Sequence, residues 1–464
     1  MKQGLKRSSQ RMAHEQSFAA RGTERVDENL IAQLTANEKA VVVGVLLAGE
    51  HQEKVEEELR ELESLLDTLG VHVSGRIWQK RQKLTPNCFI GTGKVQEIKD
   101  LAKSQGARLV VFDRPLSAPQ VRNLEQMTEC IVLDRTGVIL EIFSRHARTN
   151  QAKTQVEIAK LEYLLPRLTG AWSHFQRQKG GGALQRGMGE KQIEIDRRRA
   201  RERIARLQKQ LDQFRRDKQT QRKARSNELK VAIVGYTNSG KTTIMKAMTK
   251  AQIAPKDELF ATLDTNVKTI DPRTRPKILI SDTVGFIRSL PHSLVESFRT
   301  TLDEVNEADL LLHIVDVSYA HYEEHIKVTR DVLDEMGAGE IPQILVFNKV
   351  DRLQDPILPR ILRAAYPGCI VVSAQSEKDV LHVRDHIYQF FKKNLVTFRL
   401  SIPVEQTNAQ SLVYRNCLII ERDFDEEAEK VLFLAQSTRA TMAKLRAYII
   451  SVEDDVFQAE AGEK

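Results

Sequence analysis

The sequence predicts a multi-domain α/β protein with a P-loop nucleotide-binding domain at its centre. Over most of the 464 residues, short apolar runs typical of strands alternate with amphipathic stretches typical of helices. A glycine-rich loop at residues 235–242 stands between an apolar run and a helix-compatible stretch, as a phosphate-binding loop does. Two further stretches carry apolar residues at heptad spacing on either side of a glycine-rich segment, which is typical of an antiparallel helical hairpin.

The first predicted domain covers residues 39–148 and follows a polar tail, residues 1–38, that we expect to be disordered. Its alternating pattern predicts a small parallel sheet with covering helices. The strand-like runs are 41–48, 71–78, 108–112 and 130–133. The helix-like stretches are 51–69, 94–105 and 118–129. Ser117 and Gln120 are spaced as a capping box at the start of the last helix.

Gly91-Thr92-Gly93-Lys94 looks like part of a second phosphate-binding loop. However, Cys88 stands where the first glycine should be, and Val95 stands where a serine or threonine should be. These side chains supply neither the tight turn nor the magnesium-binding hydroxyl of such a loop. We therefore predict a turn without nucleotide chemistry.

Residues 149–226 are predicted to form a basic helical hairpin with a glycine-rich loop. One apolar stripe comprises Ile158, Leu161, Leu165, Leu168 and Trp172. The other comprises Ile193, Ala200, Ile204, Leu207, Leu211 and Phe214. Pro166 is expected to kink the first helix. The loop at 178–189 is cationic with no acidic residue, so it could thread into an RNA cavity or serve as a plain flexible connector.

The positive charge of the chain is concentrated in the second helix of this hairpin. Residues 194–225 hold thirteen lysines and arginines against five acidic residues, an excess equal to the net charge of +8 of the whole chain. Such a stripe indicates a nucleic-acid partner, although a solvated helix face without a partner gives the same pattern. The candidate RNA-binding residues are Lys179, Arg186, Lys191, Arg197, Arg198 and Arg199.

Four motifs within residues 227–394, the third predicted domain, occur in the order typical of guanine-nucleotide binding. The first comprises Gly235, Tyr236, Thr237, Asn238, Ser239, Gly240, Lys241 and Thr242. Its glycines allow the backbone to fold round phosphates, its lysine reaches the β- and γ-phosphates, and its threonine hydroxyl is placed to ligate Mg²⁺. A lone P-loop pattern could belong to an ATPase, so the other three motifs decide the nucleotide.

The other three motifs each follow an apolar strand. They are Asp282, Thr283, Val284 and Gly285; then Asn348, Lys349, Val350 and Asp351; then Ser373, Ala374 and Gln375. Asp282 can hold Mg²⁺ through water, and Gly285 offers its N–H to the γ-phosphate. Asp351 can accept two N–H bonds from guanine, a donor pair that adenine lacks, so a carboxylate there selects GTP over ATP. The sequence therefore predicts a GTPase domain.

Other features of the chain limit its class and compartment. His321, Glu324 and His325 match a metalloprotease spacing, but we see no third ligand and predict a polar helix start. The longest apolar stretch, 41–49, is too short to span a bilayer, and the basic N-terminus has no signal-like apolar core. The cysteines are too scattered for a zinc site or disulfide framework, so we expect the protein to be located in a reducing cytoplasm. They are Cys88, Cys130, Cys369 and Cys417.

The last predicted domain, 395–464, is a small α/β appendage whose sequence offers no chemistry. Its strand-like runs are 396–403, 417–422 and 431–434, and its helix-like stretch is 438–448. The full predicted order is therefore a small parallel α/β domain, an antiparallel helical hairpin, a P-loop GTPase domain and a small C-terminal α/β domain.

From about residue 40 onward the chain resembles the HflX family of ribosome-associated GTPases. The resemblance rests on motifs at 89–95, 133–137, 155–168 and, most strongly, 282–292. It implies the same domain order, binding to the large ribosomal subunit with the hairpin loop toward the peptidyl-transferase region, and a role in splitting or rescuing stalled ribosomes under stress. By position, the resemblance implies a switch I of Phe260, Ala261, Thr262, Leu263 and Asp264.

On this resemblance, Thr262 supplies a second magnesium hydroxyl beside Thr242, and Lys241, Thr262 and Gly285 are the candidate catalytic residues. The chain departs from the family pattern in three places. Thr265 replaces the usual proline, the loop end at 187–194 reads Gly-Met-Gly-Glu-Lys-Gln-Ile-Glu instead of Gly-Pro-Gly-Glu-Thr-Gln-Leu-Glu, and Gln375 replaces a smaller or Lys/Thr-type residue.

One absence bears on the rate of hydrolysis. Many GTPases place a glutamine directly after the second motif to orient the attacking water, whereas here Phe286 stands there. We expect slow intrinsic hydrolysis that large subunits accelerate. Asn238 resembles the potassium ligand of other GTPases that lack this glutamine, so K⁺ is a candidate cofactor beside Mg²⁺, although a hydrogen-bonding loop asparagine is the alternative.

Two other functions stay open at this point. A ribosome-assembly or RNA-remodelling GTPase would prefer immature particles, and a non-ribosomal regulatory GTPase would bind a protein effector. The charge distribution favours RNA over a protein effector but does not separate splitting from assembly. Because the hairpin satisfies its own apolar stripes, we expect a monomer.

Overall fold

The computed structural model describes residues 38–167, 186–223, 228–249, 259–260, 262, 266–288 and 304–453. The fold is of the predicted α/β class, with three sheets among these residues. The chain divides into two compact units. The first holds residues 1–145 and 156–205, and the second holds 146–155 and 206–464. The tail 1–37 and the loop 168–185 lie outside the described residues, so the predictions made for them stay predictions.

The first unit contains a parallel four-stranded sheet of order β2-β1-β3-β4, which confirms the parallel sheet that the alternating pattern predicts. Its strands are β1 (Lys39–Leu47), β2 (His72–Arg81), β3 (Leu109–Phe112) and β4 (Ile131–Asp134). Its helices are α1 (Gln52–Thr68), α2 (Thr92–Gln105), α3 (Ala118–Thr128) and α4 (Arg135–His146). Because β1 and β3 are buried on both faces, they are continuous apolar runs instead of alternating ones.

Helix packing in this unit follows the apolar spacing of the sequence. The buried residues of α1 are Val55, Leu59, Leu62, Leu65 and Leu66, an i, i+3, i+4 pattern that forms one face. The capping box of α3 is present, since the Ser117 N–H donates to Gln120 Oε1 at 2.9 Å. The turn predicted at 91–94 is wrong, because α2 begins at Thr92 with Gly91 as its N-cap.

Asp134, at the end of β4, holds the surrounding elements together. Its buried carboxylate accepts hydrogen bonds from the main-chain N–H groups of Leu116 and Gly137, each at 3.0 Å. It also accepts from the Tyr163 hydroxyl at 2.9 Å and from the Arg167 guanidinium at 3.0 Å. The guanidinium lies 3.7 Å from the centre of the Tyr163 ring. Asp134 therefore connects the end of β4 to Tyr163 and Arg167, near the end of the described segment 38–167.

Two helices lie on either side of that loop in the sequence, α5 (Asn150–Leu164) and α6 (Arg186–Lys223). Arg203 of α6 donates to Glu157 of α5 at 2.7 Å, so the two helices lie side by side there. The kink predicted at Pro166 is wrong, because α5 ends at Leu164, before the proline. Proline lacks an N–H and disfavours a helical conformation in the residue before it, which ends the helix instead of bending it.

The apolar stripe of α6 faces inward as its spacing predicts. Leu207 and Leu211 are buried, and Ala200, Ile204 and Phe214 are half-buried. Most residues between them are exposed, including Arg198, Arg199, Arg201 and Arg203 of the basic stripe, whereas Arg197 is half-buried. The helix is therefore amphipathic over 194–217, with an apolar face and a strongly cationic one.

The second unit contains a six-stranded sheet of order β10-β9-β8-β5-β7-β6, parallel except for the antiparallel edge strand β6. The strands are β5 (Leu229–Gly235), β6 (Asn266–Thr269), β7 (Ile278–Asp282), β8 (Leu310–Asp316), β9 (Gln343–Asn348) and β10 (Ile370–Val371). The helices are α7 (Lys241–Thr249), α8 (Tyr322–Glu335), α9 (Leu358–Ala365) and α10 (Glu377–Asn394). As predicted, His321 directly precedes a polar helix start, that of α8.

The same unit ends with an antiparallel four-stranded sheet of order β12-β13-β11-β14. Its strands are β11 (Val396–Pro403), β12 (Leu418–Asp425), β13 (Lys430–Ser437) and β14 (Ile449–Glu453), with helices α11 (Thr407–Asn416) and α12 (Arg439–Lys444). The helix predicted over 438–448 is shorter, because a 3₁₀ turn replaces its second half. The apolar residues of β11 and β13 alternate between a buried and a partly exposed face, so the core lies on one side.

Among the described residues, no helix is both long enough and apolar enough to cross a bilayer. The four cysteines are free thiols.

Candidate active site

The four predicted motifs meet at the carboxyl edge of the six-stranded sheet. The first follows β5, the second ends β7, the third ends β9 and the fourth follows β10. Since these strands are parallel, their carboxyl ends lie at one edge, where α/β sheets bind ligands. The strand order places the two phosphate-binding motifs on the neighbouring strands β5 and β7 and the two base-binding motifs on the neighbouring strands β9 and β10, with β8 between the two pairs.

The P-loop backbone depends on its glycines. Gly235 and Gly240 have φ of 146° and 94°, in the region that side chains rarely adopt. A Cβ on Gly235 would lie 2.2 Å from the Ile314 carbonyl oxygen, and one on Gly240 would lie 2.2 Å from Asn348 Nδ2. Both positions therefore require glycine for conformation and for space.

Lys241 begins α7 and is buried against the loop that it follows. Its ammonium donates to the Gly235 carbonyl at 3.2 Å and the Tyr236 carbonyl at 2.7 Å. Burial lowers the pKa of Lys241 to about 8, although the nearby Asp282 carboxylate favours its charged form. An anionic phosphate beside this ammonium would favour the charged form further.

The three residues predicted to hold magnesium come together. Asp282 Oδ2 accepts from the Thr242 hydroxyl at 2.7 Å and from the Thr262 hydroxyl at 2.9 Å, and the two hydroxyl oxygens lie 2.8 Å apart. Burial raises the pKa of Asp282. Its other oxygen, Oδ1, is buried with no hydrogen-bond partner among the described residues.

This oxygen set fits Mg²⁺. Hydroxyl and carboxylate oxygens are the ligands that this hard cation prefers, and it usually keeps several waters between itself and the protein. The unpartnered Asp282 Oδ1 is a buried acceptor that a magnesium-bound water could satisfy. A cation there would also reverse the effect of burial on the carboxylate, because it favours the ionised form.

Asn348 ties the phosphate loop to the fourth motif. Its side-chain amide donates to the Ser239 carbonyl at 2.8 Å and accepts from the Ala374 N–H at 2.9 Å. The side chain is only 1% exposed, so both bonds are shielded from water. Asn348 therefore holds the phosphate loop and the fourth motif in a fixed relation to each other.

A cavity of about 360 Å³ opens between these loops, within the size range of small-molecule sites. Asn238, Gly240, Thr243, Asn348, Lys349, Asp351, Arg352, Ser373, Ala374 and Gln375 line it. Asp351 Oδ1 accepts from the Ser373 hydroxyl at 2.6 Å, which orients the carboxylate. Lys349 has a φ of 64°, and its ammonium lies 2.8 Å from Asp316 Oδ2.

The second motif packs closely on the first. A Cβ on Gly285 would lie 2.8 Å from Thr237 Cα and 2.9 Å from Lys241 Nζ, so only glycine fits there. The Thr283 hydroxyl donates to the Ile233 carbonyl at 2.7 Å, and Val284 is buried. Phe286, in the position where other GTPases carry glutamine, is buried with 2% of its surface exposed.

Not every predicted site residue can be placed. Phe260 and Thr262 are described, whereas Ala261, Leu263 and Asp264 lie outside the described residues. Of the candidate RNA-binding residues, Arg198 and Arg199 are exposed and Arg197 is half-buried on α6. Lys179 lies outside the described residues, and only the helical backbone is described at Arg186 and Lys191.

Three residues at the site have no motif signal. Asp316 pairs with Lys349, and Asp379 Oδ2 accepts from the Ser373 N–H at 2.9 Å. Arg352 lines the cavity beside Asp351. Asp316 ends the apolar strand β8, so its place at the carboxyl edge of the sheet is the one signal that could have identified it.

Three family models match consecutive parts of the chain. They are described as GTP-binding GTPase N-terminal, over residues 56–144, GTP-binding GTPase middle region, over 146–225, and 50S ribosome-binding GTPase, over 230–349.

Relatives that match the chain over most of its length carry the name GTPase HflX. The protein of Gluconacetobacter diazotrophicus is 41% identical over 423 residues, which is 83% of this chain and 93% of the relative. The protein of Escherichia coli K12 is 40% identical over 84% of this chain and 92% of its own length. A solved GTP-binding protein of Sulfolobus solfataricus in complex with GDP is 23% identical, with a TM-score of 0.41 over 76% of this chain and 98% of its own.

Proposed function

The chain belongs to the HflX family of GTPases, and on that premise we propose that it binds the large ribosomal subunit and splits or rescues stalled ribosomes. As a member of this family it hydrolyses GTP to GDP and phosphate. The observation that carries the ribosomal part is the match of residues 230–349 to a family described as a 50S ribosome-binding GTPase. We also propose that the protein acts as a monomer in the cytoplasm, particularly under stress.

Each site residue receives a role from its position. Lys241 is proposed to neutralise charge on the β- and γ-phosphates, replacing its bonds to the loop carbonyls with bonds to phosphate oxygens. The Gly285 N–H is proposed to donate to the γ-phosphate, because Gly285 packs closely on Lys241, the proposed partner of the same phosphate. Asp351 is proposed to accept two N–H bonds from guanine within the cavity, where Ser373 already orients its carboxylate.

Thr242, Thr262 and Asp282 are proposed to hold Mg²⁺, with Asp282 acting through water. The cation would offset developing negative charge on the phosphates. Because Thr262 belongs to the proposed switch I, a nucleotide-bound Mg²⁺ would link this residue to the phosphates. The 2.8 Å separation of the two hydroxyl oxygens supports a shared ligand.

Asn238 is the proposed K⁺ ligand. It lines the nucleotide cavity and has a φ of 56°, a left-handed conformation that asparagine tolerates. A monovalent cation there could supply positive charge that Phe286 does not. Replacement of K⁺ by Na⁺ should lower the hydrolysis rate, and an unchanged rate would contradict the proposal.

The cationic face of α6 is the proposed contact with ribosomal RNA. Arg198 and Arg199 are exposed there, and their ion pairs with acidic neighbours on the same helix are long, at 3.8 Å each. The Arg198–Glu202 pair is exposed on both sides and contributes little, so a phosphate can displace it at low cost, whereas Asp196, the partner of Arg199, is buried. The division into a tail (1–38), α/β domain (39–148), hairpin (149–226), GTPase domain (227–394) and C-terminal domain (395–464) is part of the same proposal.

The direct test is sedimentation of 70S ribosomes with the protein and a non-hydrolysable GTP analogue. We expect separated subunits, with the protein on the large one. Lys241→Ala serves as the nucleotide-site control and should leave the ribosomes intact. Intact 70S particles without bound protein would contradict the proposal.

The same gradient distinguishes the main alternative. An assembly GTPase would leave 70S particles alone and sediment with immature large subunits. The basic face of α6 is equally compatible with that function, because its contacts with phosphates would depend on charge and not on whether the ribosomal particle is mature.

A further inference from the structure

Three hydrogen bonds fasten the segment after the second motif to the P-loop. The Phe286 N–H donates to the Gly235 carbonyl at 3.1 Å, and the Thr237 N–H donates to the Phe286 carbonyl at 2.8 Å. The Arg288 N–H donates to the Tyr236 hydroxyl at 3.0 Å. The first two form a parallel bridge between Tyr236 and Phe286 beyond the end of β7. Residues 286–288 are thus held mainly through their main chain.

These bonds occupy the polar groups that Phe286 could offer to a water molecule. Its side chain has no polar atom, and the ring is buried. Its hydrogen-bonding groups are therefore the main-chain N–H and C=O, and both are bonded to the P-loop. In this arrangement the Phe286 N–H is already used by the P-loop, and its carbonyl oxygen already accepts one bond from the P-loop, so neither group is free to turn toward an attacking water.

Tyr236 is held in place from its other side. Its ring stacks on His325 with centroids 3.7 Å apart and planes 5° apart, and His325 stacks on Tyr319 at 4.3 Å and 12°. His325 lies in the first turns of α8, and Tyr319 precedes that helix. Tyr236 is 4% exposed, so its ring has little freedom to turn. The stack therefore aims the Tyr236 hydroxyl at the Arg288 N–H.

The start of α8 also reaches Arg288 directly. The Arg288 guanidinium lies 3.4 Å from Glu324, the residue beside His325. One helix start thus contacts both partners of the Tyr236–Arg288 bond. A displacement of this helix would therefore move both Tyr236 and Arg288 and alter the hydrogen bond between them.

We propose that Tyr236, braced by His325, is a positioning residue that holds residues 286–288 in a resting arrangement from which GTP is hydrolysed slowly. We call the Tyr236–Arg288 hydrogen bond the latch. Release of the latch frees the Phe286 main chain to take part in orienting water. The inference rests on the proposed function for the event that releases the latch, which is docking on the large subunit. The rate of the free protein tests the latch itself without any ribosome.

The experiment is single-turnover GTP hydrolysis by the full chain without ribosomal subunits, alongside GDP affinity. Tyr236→Phe removes one hydroxyl and keeps the ring stack. We expect its rate to rise by about 2- to 10-fold, the range for one neutral hydrogen bond, with GDP affinity unchanged. His325→Ala removes the ring that stacks on Tyr236 and should also raise the rate. Tyr366→Phe, a hydroxyl deletion elsewhere in the same unit, should leave the rate unchanged.

A rate that stays level or falls in Tyr236→Phe, with wild-type GDP affinity, would overturn the latch. If that variant loses GDP binding, His325→Ala decides, since it substitutes no residue of the P-loop. Added large subunits should then stimulate wild type more than Tyr236→Phe, because part of the release has already occurred in the variant. If subunits do not stimulate wild type, the proposed ribosomal function fails, while the subunit-free rates still judge the latch.

Discussion

Removal of the Asn348 side chain should uncouple the phosphate loop from the fourth motif. In Asn348→Ala the Ser239 carbonyl loses its donor and the Ala374 N–H loses its acceptor, while the backbone of β9 stays unchanged. Neither lost group is replaced by the alanine methyl. The cavity that both loops line would lose its fixed shape before ligand arrives.

The size of the effect follows from the two bonds. Each neutral hydrogen bond contributes about 0.5–1.5 kcal/mol, so the pair contributes roughly 1–3 kcal/mol. If all of this free energy is lost from GDP binding, the GDP affinity falls by about 5- to 150-fold, since 1.4 kcal/mol is a factor of ten. Asn348→Asp keeps the bond to the Ala374 N–H but sets a carboxylate against the Ser239 carbonyl, so it should bind no better than the alanine variant.

Equilibrium titration with a fluorescent GDP analogue measures this directly. Asn123→Ala is the matched control, because Asn123 also donates its amide to a carbonyl, that of Asn87 at 2.9 Å, in the first compact unit. It should bind GDP like wild type. An Asn348→Ala affinity within twofold of wild type would refute the coupling of the two loops through this side chain.

Three further predictions address specificity, stability and partner binding. Asp351→Asn should weaken GDP binding by about 100-fold or more, because two charge-assisted bonds to guanine are lost, and should improve the relative binding of xanthine nucleotides in competition titrations. His313 is fully buried with neither ring nitrogen hydrogen-bonded among the described residues, and burial lowers its pKa to about 3. The unfolded chain therefore binds a proton below about pH 6.5 that the folded chain refuses, so stability falls from there toward pH 3. His313→Leu should raise the melting temperature and flatten that acid slope, and an unchanged slope would count against it. Neutralisation of Arg197, Arg198 and Arg199 to glutamine should weaken large-subunit binding and reduce its salt dependence, whereas an unchanged salt slope would exclude α6 as an RNA contact.

The sequence reveals most of the site because its motifs stand at the ends of apolar strands. Parallel pairing then brings Asp282 and Asn348 to one edge without further information. The partners Asp316 and Asp379 carry no such signal, since each meets its target through the tertiary fold. The Tyr236–His325 stack carries no sequence signal either, because the two residues are 89 positions apart and only the packing of α8 brings their side chains into contact.

Two helices and one helix end differ from what the sequence pattern predicts, each for a physical reason. Helix α4 is buried over most of Arg135–Phe143, so its sequence shows no alternation of apolar and polar faces. Helix α11 is short and rich in polar residues, and only Val413 is buried within it. The sequence predicts a kink at Pro166, but α5 ends at Leu164, because proline has no N–H to donate and disfavours a helical residue before it.

In the last sheet, β11, which comes first in the sequence, pairs with β14, which comes last, since Thr397 lies opposite Glu453. Removal of β14 by a stop codon or protease at about residue 448 would turn an interior strand into an open edge. Unpaired N–H and C=O groups along β11, beside the apolar core of Phe398 and Leu400, form a template for strand addition between molecules. Shortened versions of this protein should therefore aggregate, and expression trials should keep the chain through Glu453.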